Sequence, residues 1–200
     1  MVGAGLGARG QERGVHELPV TQRLALAATF VALGVVLSAF AIPVGPARVF
    51  PFQHMINVIT GVLLGPWHAM LVAFAISVIR NALGTGTFLA FPGSLFGALL
   101  VGLGYHYVRR TDAMAALEPV GTALVGALVG YALIAPLAAP ALLLGFIRAN
   151  PPSPVPYLGL FTGPLALMAS FAVSSIPGAV LGYLVLRALR RAGILHRYAG

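Results

Sequence analysis

The chain has 200 residues, of which 59% are hydrophobic and only 8% charged, and its mean hydropathy is +0.96. A soluble domain carries roughly 25% charged residues, so this composition excludes an ordinary water-soluble fold and identifies an integral membrane protein. Twelve arginines stand against four acids, with no lysine and no cysteine, which excludes disulfides, thiolate metal sites and a thiol nucleophile.

In a soluble protein a net charge of +8 points to nucleic acid; here it is explained by arginines that set membrane topology. Residues 1–22 are polar and glycine-rich and carry Arg9, Glu12, Arg13 and Glu17, which predicts a mobile cytoplasmic tail. Residues 24–42 predict the first span. Ala39-Phe40-Ala41 mimics a signal-peptide cleavage site, but the apolar run exceeds the about 7–15 residues of a signal peptide and more spans follow. Ala25, Ala28 and Ala32 give this helix a small-residue stripe on which another helix can pack closely.

The chain then turns through Pro43, Pro46 and Pro51. Proline suits the first helical position, so Pro51 predicts the start of a short second span, residues 52–64, ended by Gly65-Pro66. Gln53, His54 and Asn57 share one flank of that helix by their spacing, a polar corner with Met55, Ile56, Val58 and Ile59 on the other side. Trp67 anchors the next turn at the membrane interface. Residues 67–83 form the third span, with Arg80 and Asn81 at its far end and the loop Gly84-Thr85-Gly86-Thr87 after it. Residues 93–108 form the fourth span. Glu118-Pro119 opens the fifth, where an acid suits the helix dipole, and that span weakens at Pro136 and Pro140. A proline-rich connection, residues 148–157, precedes a sixth span opened by Thr162-Gly163-Pro164.

With both termini cytoplasmic, nine arginines fall inside (9, 13, 23, 109, 110, 187, 190, 191 and 197) and three outside, Arg48, Arg80 and Arg148. That bias sets the orientation. The expected fold is therefore an all-α membrane protein: a tail over residues 1–22, a compact six-helix bundle over 23–190, and a second tail over 191–200. Gly-x-x-x-Gly pairs at 61/65, 93/97, 126/130 and 178/182 fit close helix packing.

The second, fourth and sixth helices each begin near a proline, Pro51, Pro92 and Pro164, so their positive dipole ends are expected to face one outer region. The three outer arginines lie on that side. Snorkelling to lipid headgroups is the better account of Arg148; for Arg48 and Arg80 it competes evenly with a binding role. No catalytic set emerges. Asp112 and Glu118 are expected near the inner face, the span centres hold no acid or arginine, and no closely spaced metal-ligand set occurs. Ser174-Ser175 is expected to bond to neighbouring backbone, and Tyr131 to make an interhelical hydrogen bond. A small helical bundle with an external polar and aromatic pocket and no energy source of its own is the profile of a capture subunit. An intramembrane enzyme using His54 and a serine, or a scaffold without a ligand, are the competing readings.

Four ordered motifs carry a family resemblance: Ile-Pro-Val-Gly-Pro-Ala-Arg-Val-Phe-Pro-Phe-Gln-His-Met-Ile-Asn (42–57), Gly-Val-Leu-Leu-Gly-Pro-Trp (61–67), Arg-Asn-Ala-Leu-Gly-Thr-Gly-Thr (80–87) and Phe-Pro-Gly-Ser-Leu-Phe-Gly (91–97). They resemble the ThiW family, substrate-binding S components of energy-coupling factor (ECF) vitamin transporters, closely over about residues 24–107 and more loosely beyond. The first twenty residues and residues 150–157 are individual to this chain.

The resemblance implies six helices in a prokaryotic plasma membrane and an outward-opening cavity for hydroxyethylthiazole, a thiamine precursor. It also implies a docking face, here Ala28 and Ala32, for a transmembrane T component energised by two cytoplasmic ATPases. No nucleotide-binding loop occurs in this chain, so ATP is used by the partners and no cofactor is expected. A flat heteroaromatic alcohol needs aromatic walls and a few placed polar groups. Phe50, Phe52, Phe88 and Phe91 are the expected walls, and Gln53, His54, Asn57, Asn81 and Thr85 the expected hydrogen-bonding groups. Arg48 and Arg80 join the candidate site because they would suit the phosphate ester; the neutral alcohol is favoured because Gln53, His54 and Asn57 suit neutral hydrogen bonds.

Overall fold

A computed structural model describes residues 19–44, 47–86, 88–134 and 163–195. The polar N-terminal tail, Pro136, Pro140, Arg148 and the proline-rich connection lie outside the described residues. Among those described are six helical segments: α1 (Val20–Leu37), α2 (Pro51–Leu64), α3 (Pro66–Ala82), α4 (Ala90–Leu103), α5 (Asp112–Ile134) and α6 (Pro164–Arg191). Three of them, α1, α5 and α6, are long and apolar enough to cross a membrane. α4 runs on into a wider turn over Gly104–Val108, and α5 starts as a tight 3₁₀ turn over Asp112–Ala116 before alternating α and π turns.

Two details differ from expectation. α1 occupies residues 20–37 rather than 24–42, because the chain beyond it is captured by a short antiparallel hairpin, β1 (Ile42–Val44) with β2 (Ala47–Val49), in which Ile42 faces Val49 and Pro43 faces Arg48. Pro43 has no N–H to give a helix and biases Ile42 toward extended backbone. The fold is helical, as expected, with the addition of one small hairpin. At the other end of α2 the expected break is present: Gly65 adopts φ 81°, a left-handed conformation that only glycine takes without strain, and Pro66 starts α3 directly.

Helix α2 is the axis of the packing. Twelve of its 14 residues are buried, enclosed by α1, α3, α4 and α6. The glycines of the repeated pairs are where helices meet. A Cβ on Gly182 would lie 2.6 Å from Val58 Cβ, and one on Gly61 would lie 2.9 Å from Val101. On the outside the pattern inverts: Trp67, Leu71, Phe74 and Val78 on α3, and Leu165, Val173, Ile176, Val180 and Leu184 on α6, are exposed. Polar groups inside and a broad apolar exterior is the arrangement a lipid solvent demands.

Residue pairing also shows the helix directions. Phe50, His54 and Val58 meet Ser174, Gly178 and Gly182 in turn, and Gln53 and Gly61 meet Ser94 and Val101, so α2, α4 and α6 run parallel as expected. They do not start at one level. Gly178, which abuts Pro51 and His54, is halfway along the 28 residues of α6, about 21 Å below its start at 1.5 Å per residue. With 14 residues, α2 is itself only about 21 Å long against a hydrocarbon core of about 30 Å. Its start therefore packs against the middle of α6 rather than against the start of α6.

At the opposite end, Arg190 of α6 grips Asp112 at 2.6 and 3.1 Å and reaches the Tyr105 hydroxyl at 3.4 Å, tying α6 to α4 and to the start of α5. The Arg190 side chain is 34% exposed, so screening limits its worth. Arg190→Gln is expected to lower stability by about 0.5–1 kcal/mol in detergent melting. A loss above about 3 kcal/mol would show that this clamp, rather than helix packing, holds the lower end.

Candidate functional site

The expected polar flank of α2 exists, and all of it is inside: Gln53, His54 and Asn57 are 2%, 8% and 1% exposed. Two partners reach it from other helices. The first is Arg80, in the last turn of α3, which is buried rather than snorkelling to headgroups. Its Nη1 donates to Gln53 Oε1, its Nη2 donates to the Thr85 carbonyl at 3.1 Å, and its guanidinium carbon sits 4.3 Å over the Phe50 ring. Gln53 in turn donates through Nε2 to Ser94 Oγ on α4. The loop after α3 closes over the arginine: the backbone N–H groups of Thr85 and Gly86 donate to the Arg80 carbonyl at 2.9 and 3.0 Å.

The second partner overturns an expectation. Glu118, assigned from sequence to a helix dipole near the inner face, is wholly buried and bonded to α2. Its Oε1 lies 2.7 Å from His54 Nδ1, 3.2 Å from Asn57 Nδ2 and 2.8 Å from Thr122 Oγ1. Facing a carboxylate oxygen, His54 Nδ1 is assigned as the donor of this bond. The Thr122 hydroxyl is also 3.1 Å from the Gly93 carbonyl, so its one hydrogen is divided between two acceptors. Space for the carboxylate comes from Gly97, where any Cβ would overlap Glu118 Oε1 and Thr122 Oγ1. The interior thus holds both an arginine and an acid, where none was expected, and hydrogen bonds satisfy part of the shell of each.

Other expected site residues are distributed differently. Phe50 is partly buried against Arg80, and Phe52 is also partly buried. Phe88 is 46% exposed, stacks on Phe91 at 6.4 Å, and Phe91 tilts on Phe74 at 5.6 Å, so these two belong to an aromatic ladder leading outward. Asn81 Nδ2 donates back to the Ser77 carbonyl at 2.8 Å. Thr85 is exposed, donates its hydroxyl to the Arg80 carbonyl, and serves the arginine through its own carbonyl. Arg48 lies on β2, with its side chain outside the described residues. Ala28 and Ala32 are exposed on α1, while Gly34 of the same helix packs on Ile76. Ser174 bonds to backbone as expected, accepting the Phe50 N–H at 2.8 Å. Tyr131 packs beside Leu89, Ala127 and Leu167.

Sequence reasoning missed Ser94, Glu118 and Thr122. A signal was present: Glu118 and Thr122 are four apart on one helix face, and Gly97 lies three residues after Ser94.

A helical bundle with an apolar exterior and a charged, hydrogen-bonded seam at its centre is a membrane protein built to hold a polar group away from lipid. The profile of the thiamine-precursor transporter protein family, ThiW, matches residues 24–192, and the chain belongs to that family. It is a membrane transport protein of thiamine-precursor uptake. Comparison with curated proteins and with solved structures returns no match.

Proposed function

We propose that this protein is the substrate-binding S component of an ECF transporter and that it imports hydroxyethylthiazole as the free alcohol. Six helices cross the membrane with both termini cytoplasmic, and a T component with two ATPases supplies the energy. The observation that carries the ligand assignment is the α2 seam. Arg80, its one arginine among the described residues, is already engaged with Gln53 and Thr85, and an acid, Glu118, lies one helical turn along the same flank. Such a seam fits a small neutral molecule with a few hydrogen-bonding atoms. A phosphate ester is the weaker fit, because its negative charge would meet Glu118 on the same flank.

The alanine stripe supports the partner assignment. Ala28 and Ala32 are exposed, as are Leu24, Leu33 and Val36 of the same helix, and the two small side chains leave room for close approach of another transmembrane helix. Replacing both with Leu is expected to abolish co-purification with the T component and ATP-dependent uptake, while the isolated subunit still binds the alcohol in calorimetric titration. Binding lost with assembly intact would move this face from docking to substrate capture. Wild type that binds no thiazole alcohol would remove the ligand assignment.

A further inference from the structure

Two acceptor atoms in the seam have no hydrogen-bond partner among the described residues: Glu118 Oε2 and Asn57 Oδ1. Both residues are essentially inaccessible, at 0% and 1% exposure. The imbalance is local. Oε1 of the same carboxylate is approached by His54, Asn57 and Thr122, while Oε2 takes nothing. The Asn57 amide cannot be turned to relieve this, since exchanging its ends would set Oδ1 against Oε1. A buried carboxylate oxygen and a buried amide oxygen that lack donors are costly, and the two flank one carboxylate bonded to one amide. A donor group brought to them by a ligand would relieve one or both.

We propose that Glu118 and Asn57 form a two-acceptor clamp for a hydrogen-bond donor of the substrate, an O–H or N–H. The clamp makes Glu118 the acid that recognises the ligand and selects uncharged or cationic heteroaromatics over phosphate esters. This rests on the α2 seam being the substrate site. The hydroxyl of hydroxyethylthiazole is such a donor, and an exocyclic amino group on a pyrimidine is another. A phosphate monoester offers mainly acceptors and negative charge where Glu118 already stands. His54 and Thr122 act as positioning residues: by holding Oε1 they turn Oε2 toward the ligand.

Glu118→Gln separates the clamp from the fold. The amide oxygen can take the place of Oε1 and keep the donors from His54, Asn57 and Thr122. The new NH₂ then stands where Oε2 was and can donate to Asn57 Oδ1. The variant satisfies the seam internally and closes the clamp, so its melting temperature is expected to equal or exceed that of wild type while it loses the donor-specific part of binding. The probes are hydroxyethylthiazole, its phosphate, its ethyl analogue lacking the hydroxyl, and hydroxymethyl aminopyrimidine, each titrated into detergent-purified full-length protein. Wild type is expected to prefer the alcohol over the ethyl analogue by roughly 10- to 150-fold, the range of a hydrogen bond to a charged group, and to bind the phosphate more weakly than the alcohol. Glu118→Gln is expected to erase the alcohol preference.

An alcohol preference that persists in Glu118→Gln, or a phosphate bound more tightly than the alcohol by wild type, overturns the clamp. If the alcohol binds with the same affinity as the ethyl analogue, the clamp falls while the thiazole assignment stands. If the aminopyrimidine binds best and depends on Glu118, the clamp stands and the thiazole assignment falls. No binding of any probe by wild type ends both. If the variant does not fold, the three thiazoles on wild type still overturn the clamp when the alcohol shows no preference over the ethyl analogue or the phosphate binds more tightly.

Discussion

Gly178→Leu is expected to unfold the bundle or destabilise it by more than about 3 kcal/mol, the range in which core overpacking becomes severe. Gly178 faces the start of α2, and a Cβ there would overlap both the His54 Cβ and the Pro51 carbonyl. Backbone cannot step aside as a flexible side chain can, so α2 and α6 would have to separate. That separation would withdraw His54 from Glu118 and Phe50 from Ser174, the two bonds that fix the depth at which α2 begins. Ala132→Leu, on an exposed position of α5, is the control and is expected to change stability by less than about 0.5 kcal/mol. Thermal melting followed by fluorescence-detected size exclusion reads both. A Gly178→Leu protein that melts within about 1 kcal/mol of wild type would mean that the α2–α6 contact is looser than its geometry indicates.

Arg80→Leu is expected to cost about 2–4 kcal/mol, the order of losing hydrogen bonds from a charged donor and leaving a buried acceptor unsatisfied. Two losses combine. Gln53 Oε1 and the Thr85 carbonyl lose a charged donor, and the Phe50 ring loses its cation. Arg80→Lys keeps the charge but not the planar fork that serves two acceptors at once, so it should recover part of the stability and not all. Read from the sequence, Arg80 was expected to matter little for a neutral ligand. With its guanidinium holding Gln53 and the 80–86 loop, its removal is now expected to weaken alcohol binding as well. Melting and titration of the three proteins separate the possibilities. Equal stability of Arg80→Leu and wild type would place the arginine outside the structural core.

Much was determined by the sequence alone. Composition dictated helices in lipid, because a chain this apolar must satisfy its backbone internally. Pro51, Gly65 and Pro66 marked the ends of α2 and the start of α3, since their backbone preferences act within a few residues. The spacing of Gln53, His54 and Asn57 placed them on one flank by helix geometry, and the glycine pairs marked surfaces of close approach.

The identity of the groups facing that flank was decided only by tertiary structure. Glu118 is 64 residues from His54, and Arg80 is 27 from Gln53; local periodicity says which face a residue occupies and nothing about which helix lies opposite. The same holds for depth. A 14-residue apolar stretch between prolines reads as a short span, yet it begins halfway down α6 because the hairpin before it takes up the chain and Gly178 admits Pro51 and His54. Packed there, a flank expected to line an outer pocket is buried among the helices. There, water no longer satisfies polar side chains, and Arg80 and Glu118 supply their partners.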